Sequence, residues 1–204
     1  MVQMIRLTAF LLALFAEAVL AQSFNTGLDE YQRGHYESAF NIWKPMAEHG
    51  FAPAQSNLGW MYDNGYGITE DDVQAVEWYL KAAKQSDESA QANLGWMYAN
   101  GFGIEKDDFE AVHWYRGAAG QGDATAQYNL GWMYENGRGT LKSESKAVSW
   151  YVKASRQGLA TAQDAVKRIA RKKNNVLPKD SELMEEINLL ASEELASNQA
   201  DPGT

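Results

Sequence analysis

The chain has 204 residues, 45% hydrophobic and 22% charged, with a formal net charge of −9 and no cysteine. That composition fits one folded domain with extensions and excludes wholesale disorder, while the acidic balance repels phosphate backbones and anionic lipid surfaces, so no nucleic acid partner is expected. Without cysteine there is no disulfide, thiol nucleophile or acceptor for lipid attachment, and stability must come from packing.

At the N-terminus, one basic residue, Arg6, precedes the apolar run Leu7 to Leu20, and small residues follow at Ala18, Val19 and Ala21. This is the layout of a secretory signal peptide over residues 1–21, cleaved after Ala21, which places the protein in the periplasm or outside the cell. A retained anchor is the alternative. Against it stand Glu17 within the run and a length short of the ~20 residues that a spanning helix needs, so no stable membrane insertion is expected.

From Phe24 to Lys173 the sequence reads in a single period of 36, marked by Gln55, Gln91, Gln127 and Gln163. Residues 24–53 form a degenerate first unit in which Tyr31-Gln-Arg-Gly34-His-Tyr36 makes a short turn, and Ala39, Trp43 and Ala47 precede Ala75, Tyr79 and Ala83 by one period. Full units span 54–89, 90–125 and 126–161, and a terminal helix occupies 162–173. Such a period predicts a solenoid of stacked helix pairs, stable only through contact between neighbours.

Helix A of each full unit opens on Ala54-Gln-Ser-Asn-Leu-Gly-Trp-Met-Tyr62 or its copies Ala90–Tyr98 and Ala126–Tyr134, where Ala54, Leu58, Met61 and Tyr62 share one stripe. It stops at Asn64-Gly65, Asn100-Gly101 and Asn136-Gly137, the glycine supplying the left-handed turn. A second glycine follows at Gly67, Gly103 and Gly139, after which Ile68, Ile104 and Leu141 are expected to drop into the core. Helix B is capped by Asp71, Asp107 and Ser143; Gln74 and Glu110 complete capping boxes, and Lys146 in the third copy leaves a weaker cap. Along helix B, alanines alternate with the pairs Trp78-Tyr79, Trp114-Tyr115 and Trp150-Tyr151, so that one ring fills the space between repeats.

Asn-Leu-Gly-Trp-Met-Tyr-x-Asn-Gly-x-Gly followed by Ala-Val-x-Trp-Tyr resembles the Sel1-like repeat, a relative of the tetratricopeptide repeat with a longer loop inside each unit. The ordinary tetratricopeptide unit is shorter and lacks the double-glycine loop. Two positions depart from the pattern: Thr140 replaces an aliphatic residue and Ser155 an alanine. The resemblance implies an all-α fold, a right-handed α/α superhelix of helical hairpins, acting as a protein-binding adaptor. Some cysteine-rich members are associated with β-lactam binding or hydrolysis, an analogy that carries little for a chain without cysteine.

The residues offer little chemistry. His35, His49 and His113 occupy different repeat positions and begin no metal-ligand pattern, so no metal site is expected. Gly65-x-Gly67 and its copies lack the Gly-Lys-Ser/Thr of a phosphate loop and read as turns, so no cofactor is expected. The carboxylate pairs Asp71-Asp72 and Asp107-Asp108 lie at helix N-termini, where the macrodipole already favours them. No catalytic residues are assigned, and an envelope hydrolase or a structural spacer remains the alternative to an adaptor.

The strongest candidate surface is a ladder on helix A. Asn57, Trp60 and Asn64 lie on one face and recur as Asn93, Trp96, Asn100 and as Asn129, Trp132, Asn136. In stacked hairpins this face lines the concave side, where amides can bond an extended peptide and Trp supplies apolar area. Packing between repeats is the competing reading for Trp, and local helix capping for the Asn64 set. Beyond Pro178, residues 174–204 form a linker and an acidic amphipathic tail: Leu183, Met184, Ile187, Leu190, Ala191 and Leu195 make a stripe opposed by carboxylates. The tail is expected to cap the solenoid or to occupy its groove.

Overall fold

The computed structural model describes residues 19–173, so most of the expected signal segment and the whole acidic tail sequence lie outside the described residues. Among the described residues there are nine helices and no strand. Chain contacts divide the protein into two compact units, separated between Lys106 and Asp107. Unit one holds α1 (19–32), α2 (Tyr36–Glu48), α3 (Ala52–Asn64), α4 (Asp72–Ala83) and α5 (Glu88–Asn100). Unit two holds α6 (Asp108–Gln121), α7 (Ala124–Asn136), α8 (Glu144–Arg156) and α9 (Ala160–Lys173). No helix of the described residues is long and apolar enough to cross a membrane.

Three hairpins close around a glycine and a ring. Gly59 of α3 lies under Tyr79 of α4, so close that a methyl group there would stand 2.6 Å from the ring. Gly131 of α7 receives Tyr151 of α8 in the same way, at 2.9 Å. Gly27 lies under Trp43 across the shorter turn of the degenerate unit, and the Trp43 Nε1 donates to the Phe24 carbonyl at 3.2 Å. Tyr79, Tyr151 and Trp43 are fully buried or nearly so. In the pairs Trp78-Tyr79 and Trp150-Tyr151 the ring that fills space is therefore the Tyr, and it fills the hairpin rather than a gap between repeats. Its Trp neighbour is half-buried, with Lys81 lying 3.7 Å over Trp78 and Lys153 4.1 Å over Trp150.

Adjacent repeats are joined by backbone. The second loop glycines adopt positive φ, and each presses on the first turn of the preceding helix B: Gly67 on Tyr36 and Glu37, Gly103 on Asp72, Gly139 on Asp108. Any Cβ at Gly103 or Gly139 would collide with main-chain atoms. Gln55, buried, donates to the Ala47 carbonyl at 2.9 Å, and Gln91 and Gln127 repeat the bond to Ala83 and Ala119 at 3.2 Å. The last carbonyls of one helix B thus each take a side-chain donor from the next helix A, as the sole partner among the described residues at Ala119 and beside a turn N–H at Ala47 and Ala83. Gln85 and Gln157 in turn donate to the side-chain oxygens of Gln55 and Gln127, at 2.8 and 3.0 Å.

Two local expectations need correction. Leu141 is 89% exposed, because one period carries Ile68 and Ile104 onto Thr140, whereas Leu141 falls at the exposed position of Thr69 and Glu105. The capping box at α4 is also only half formed. Asp71 accepts from the Gln74 N–H at 3.0 Å, but its own N–H is already held by the Tyr62 carbonyl, and the Gln74 amide turns to Glu77. Ser143 caps α8 through a longer bond, 3.4 Å, as the Lys146 departure suggested. Sequence reasoning missed the caps of helix A itself, where Asp87 and Asp123 accept from Ala90 and Ala126.

Candidate functional site

The helix A ladder separates into three kinds of residue. Leu58, Met61, Leu94, Met97, Leu130 and Met133 are fully buried or nearly so, yet the intervening Trp60, Trp96 and Trp132 are 40%, 42% and 37% exposed. A helix places successive residues about 100° apart, so Trp60 faces solvent while Gly59 and Met61 on either side of it face the core. In each copy one face of the indole is shielded by the residue that follows the helix-ending glycine. Tyr66 lies 6.4 Å from Trp60, Phe102 stacks on Trp96 at 4.8 Å with planes 20° apart, and the Arg138 guanidinium lies 5.2 Å over Trp132. The Trp60 Nε1 also donates to the Tyr31 hydroxyl at 2.9 Å, and Arg138 is held by both oxygens of Asp108.

The two asparagine sets differ. Asn64, Asn100 and Asn136 each donate their amide to the main-chain carbonyl of the Trp one turn earlier, at 2.9, 2.8 and 2.8 Å. They therefore seal the helix end at which Gly65, Gly101 and Gly137 turn left-handed. Asn57, Asn93 and Asn129 are half-buried. Asn93 lies near the Tyr79 hydroxyl and favours its ionised form, so in unit one this position faces the ring of the preceding repeat.

Beside the ladder lie two tyrosine–carboxylate pairs. The Tyr79 hydroxyl donates to Asp63 at 3.5 Å and the Tyr151 hydroxyl to Glu135 at 2.9 Å, and Glu135 is also gripped by both terminal nitrogens of Arg168 at 2.7 Å. Burial first, then the nearby carboxylates, pushes both phenols well above their ordinary range, so they act as hydrogen-bond donors and not as bases. The Asp63 carboxyl is also raised, mainly by burial and then by Asp72 and Glu70.

The remaining titratable candidates serve local roles. Asp71 and Asp107 cap α4 and α6, and Asp108 pairs with Arg138. His35 contacts Glu30 at 3.0 Å, His49 bonds the Pro45 carbonyl, and His113 lies edge-on to Trp114. Among the described residues no group of His, Asp or Glu is arranged to hold a metal ion. The partners missed by sequence reasoning, Tyr66, Phe102 and Arg138, carried a readable signal: each follows its Trp at the same spacing in every copy.

The Sel1 repeat profile matches residues 52–87, 88–123 and 124–159, units of the same length as those read from the sequence and offset from them by the start of helix A. The crystal structure of a Sel1 repeat protein from Oxalobacter formigenes is similar, with a TM-score of 0.72 and 33% identity over 84% of this chain and 68% of that one. The uropathogenic Escherichia coli protective antigen c5321, which displays an SLR fold, is similar at a TM-score of 0.75 and 32% identity over 89% of this chain, which spans only 40% of that protein. No curated protein matches the sequence. Three matched repeats, the glycine–ring hairpins and these likenesses together show that the chain belongs to the Sel1 repeat family.

Proposed function

We propose that the chain is an exported, non-enzymatic adaptor that binds a partner protein or peptide through the Trp-bearing face of its A helices. The Sel1 repeat family typically mediates protein–protein interaction. The observation that carries the reading is the exposure of Trp60, Trp96 and Trp132 at equivalent positions, next to residues that are fully buried. Three large rings kept in water at a fixed repeat position are apolar area that packing alone does not require. Their stacking on Tyr66, Phe102 and Arg138 holds each ring in place beforehand, so little side-chain freedom is lost on binding. Asn57, Asn93 and Asn129 border the rings and supply amide groups. Asn64, Asn100 and Asn136 support the face from below by fixing its helix ends.

Export rests on the signal layout of residues 1–21, and a periplasmic or secreted location follows from it. The test is capture by crosslinking in the exporting cell, comparing the wild-type chain with Trp96→Ala. Loss of captured protein with an unchanged helical circular dichroism signal supports the reading; undiminished capture, or loss of the helical signal, sinks it.

A further inference from the structure

The loop residue beside each exposed Trp meets a different neighbour in each copy. In unit two Arg138 lies over Trp132 at 5.2 Å and is held by both oxygens of Asp108, the residue against whose main chain Gly139 presses. The indole thus carries a guanidinium that a carboxylate fixes in place. One period earlier, within unit one, the same positions are Phe102, Trp96 and Asp72, and Gly103 presses on Asp72 as Gly139 does on Asp108. The indole and the carboxylate are kept, and the arginine is gone. A further period back they are Tyr66, Trp60 and Tyr36, and there the Tyr36 ring, 4.8 Å from Tyr66, stands in place of the carboxylate.

The second copy is the one that leaves its carboxylate unanswered. Among the described residues no cation pairs with Asp72. Phe102 stacks on Trp96 and both rings are 42% exposed, whereas Tyr66 and Arg138 are half-buried. Asp63, held above the ordinary carboxylate range mainly by burial, also feels the charges of Asp72 and Glu70, so negative charge accumulates here. Over residues 19–106 acidic side chains outnumber basic ones by more than two to one, and the field of such a unit favours an incoming cation.

Resting on the docking role of the Trp-bearing face, we propose that Trp96, Phe102 and Asp72 form a receptor for one arginine side chain of the partner, its guanidinium laid on the exposed rings and paired with the Asp72 carboxylate. Arginine suits the place better than lysine: its planar group stacks flat on a ring while presenting a fork to a carboxylate, whereas an ammonium is compact and strongly hydrated. The third copy fills the equivalent place with its own Arg138, and the first with Tyr36, which confines the receptor to the second copy.

The probe is the capped peptide Gly-Ser-Arg-Ser-Gly, titrated at low salt into the full chain and followed by the Trp96 indole N–H resonance, assigned by its loss in Trp96→Phe. Saturable movement of that resonance is expected. The citrulline analogue, equal in shape but uncharged, should bind at least about tenfold more weakly, and the lysine analogue should also bind more weakly than arginine. Asp72→Asn should weaken binding as much as citrulline does, and Asp72→Glu should retain it, both with an unchanged helical circular dichroism signal. Phe102→Arg should abolish it, because the chain's own guanidinium then occupies Asp72 as Arg138 occupies Asp108. No saturable movement, equal binding of the arginine peptide and either analogue, or undiminished binding by Asp72→Asn or Phe102→Arg would overturn the proposal. In the exporting cell, capture that is lost in Trp96→Ala but undiminished in Asp72→Asn overturns the arginine receptor alone; capture undiminished in both removes the docking face as well.

Discussion

Gly59 and Trp60 are neighbours on α3 and recur with the same period, yet they answer to different constraints. Gly59 is fixed by what it touches, since the Tyr79 ring leaves no room for a methyl group. Trp60 is 40% exposed and meets the Tyr31 hydroxyl and, on one face, the tilted Tyr66 ring. Periodicity by itself therefore does not separate architecture from recognition. The environment of each position does, and helix A carries both kinds on opposite faces.

That contrast can be tested from the larger effects downward. Gly139→Ala should cost the most, roughly 2–4 kcal/mol, because a left-handed residue gains a Cβ against the Asp108 main chain; chemical denaturation would read it as a lower midpoint with unchanged slope. Gln127→Ala should follow, at roughly 1–3 kcal/mol, by leaving the Ala119 carbonyl without its buried partner, while the exposed Gln157 amide keeps the Gly122 carbonyl. Ser86→Gly should act in the opposite direction. Ser86 sits at φ 67 where Gly50, Gly122 and Gly158 occupy the equivalent turn, so glycine should raise stability by about 1 kcal/mol.

The smallest effect is one of pH. Because burial and like charges raise the Asp63 carboxyl, the fold favours its protonated form, and that contribution fades as pH rises through the folded pKa. Asp63→Asn keeps an acceptor for the Tyr79 hydroxyl and removes the charge. It should raise Tm at neutral pH by no more than about 2 °C, since the group is half in solvent, and the gain should disappear in acid. A gain that persists below the carboxylate range would point to packing instead of charge.

Much of the architecture was legible because glycine, alanine and ring positions recur for steric reasons: the helix stops at Gly65, Gly101 and Gly137, and the caps at Asp71, Asp107 and Ser143, stand where the pattern puts them. What escaped depends on three-dimensional contact. Which ring of Trp78-Tyr79 enters the hairpin is decided by the glycine opposite it, and Leu141 was misplaced by a single residue of loop register. The glutamine pairs joining successive repeats were visible as a period but not as bonds. On the candidate face, sequence reasoning supplied the Trp positions, whereas only geometry distinguishes the exposed Asn64, bonded to its own helix, from the half-buried Asn93 near the Tyr79 hydroxyl.

The most direct measurement sets the two neighbours side by side: Gly59→Ala and Trp60→Ala, each assayed for thermal unfolding and for partner capture by crosslinking in the exporting cell. The account predicts that Gly59→Ala loses roughly 1–3 kcal/mol of stability by overpacking against Tyr79. Trp60→Ala should lose no more than about 1.5 kcal/mol while its capture falls on the order of tenfold. Capture that tracks stability in both variants, or a Trp60→Ala chain that captures as well as wild type, would contradict it.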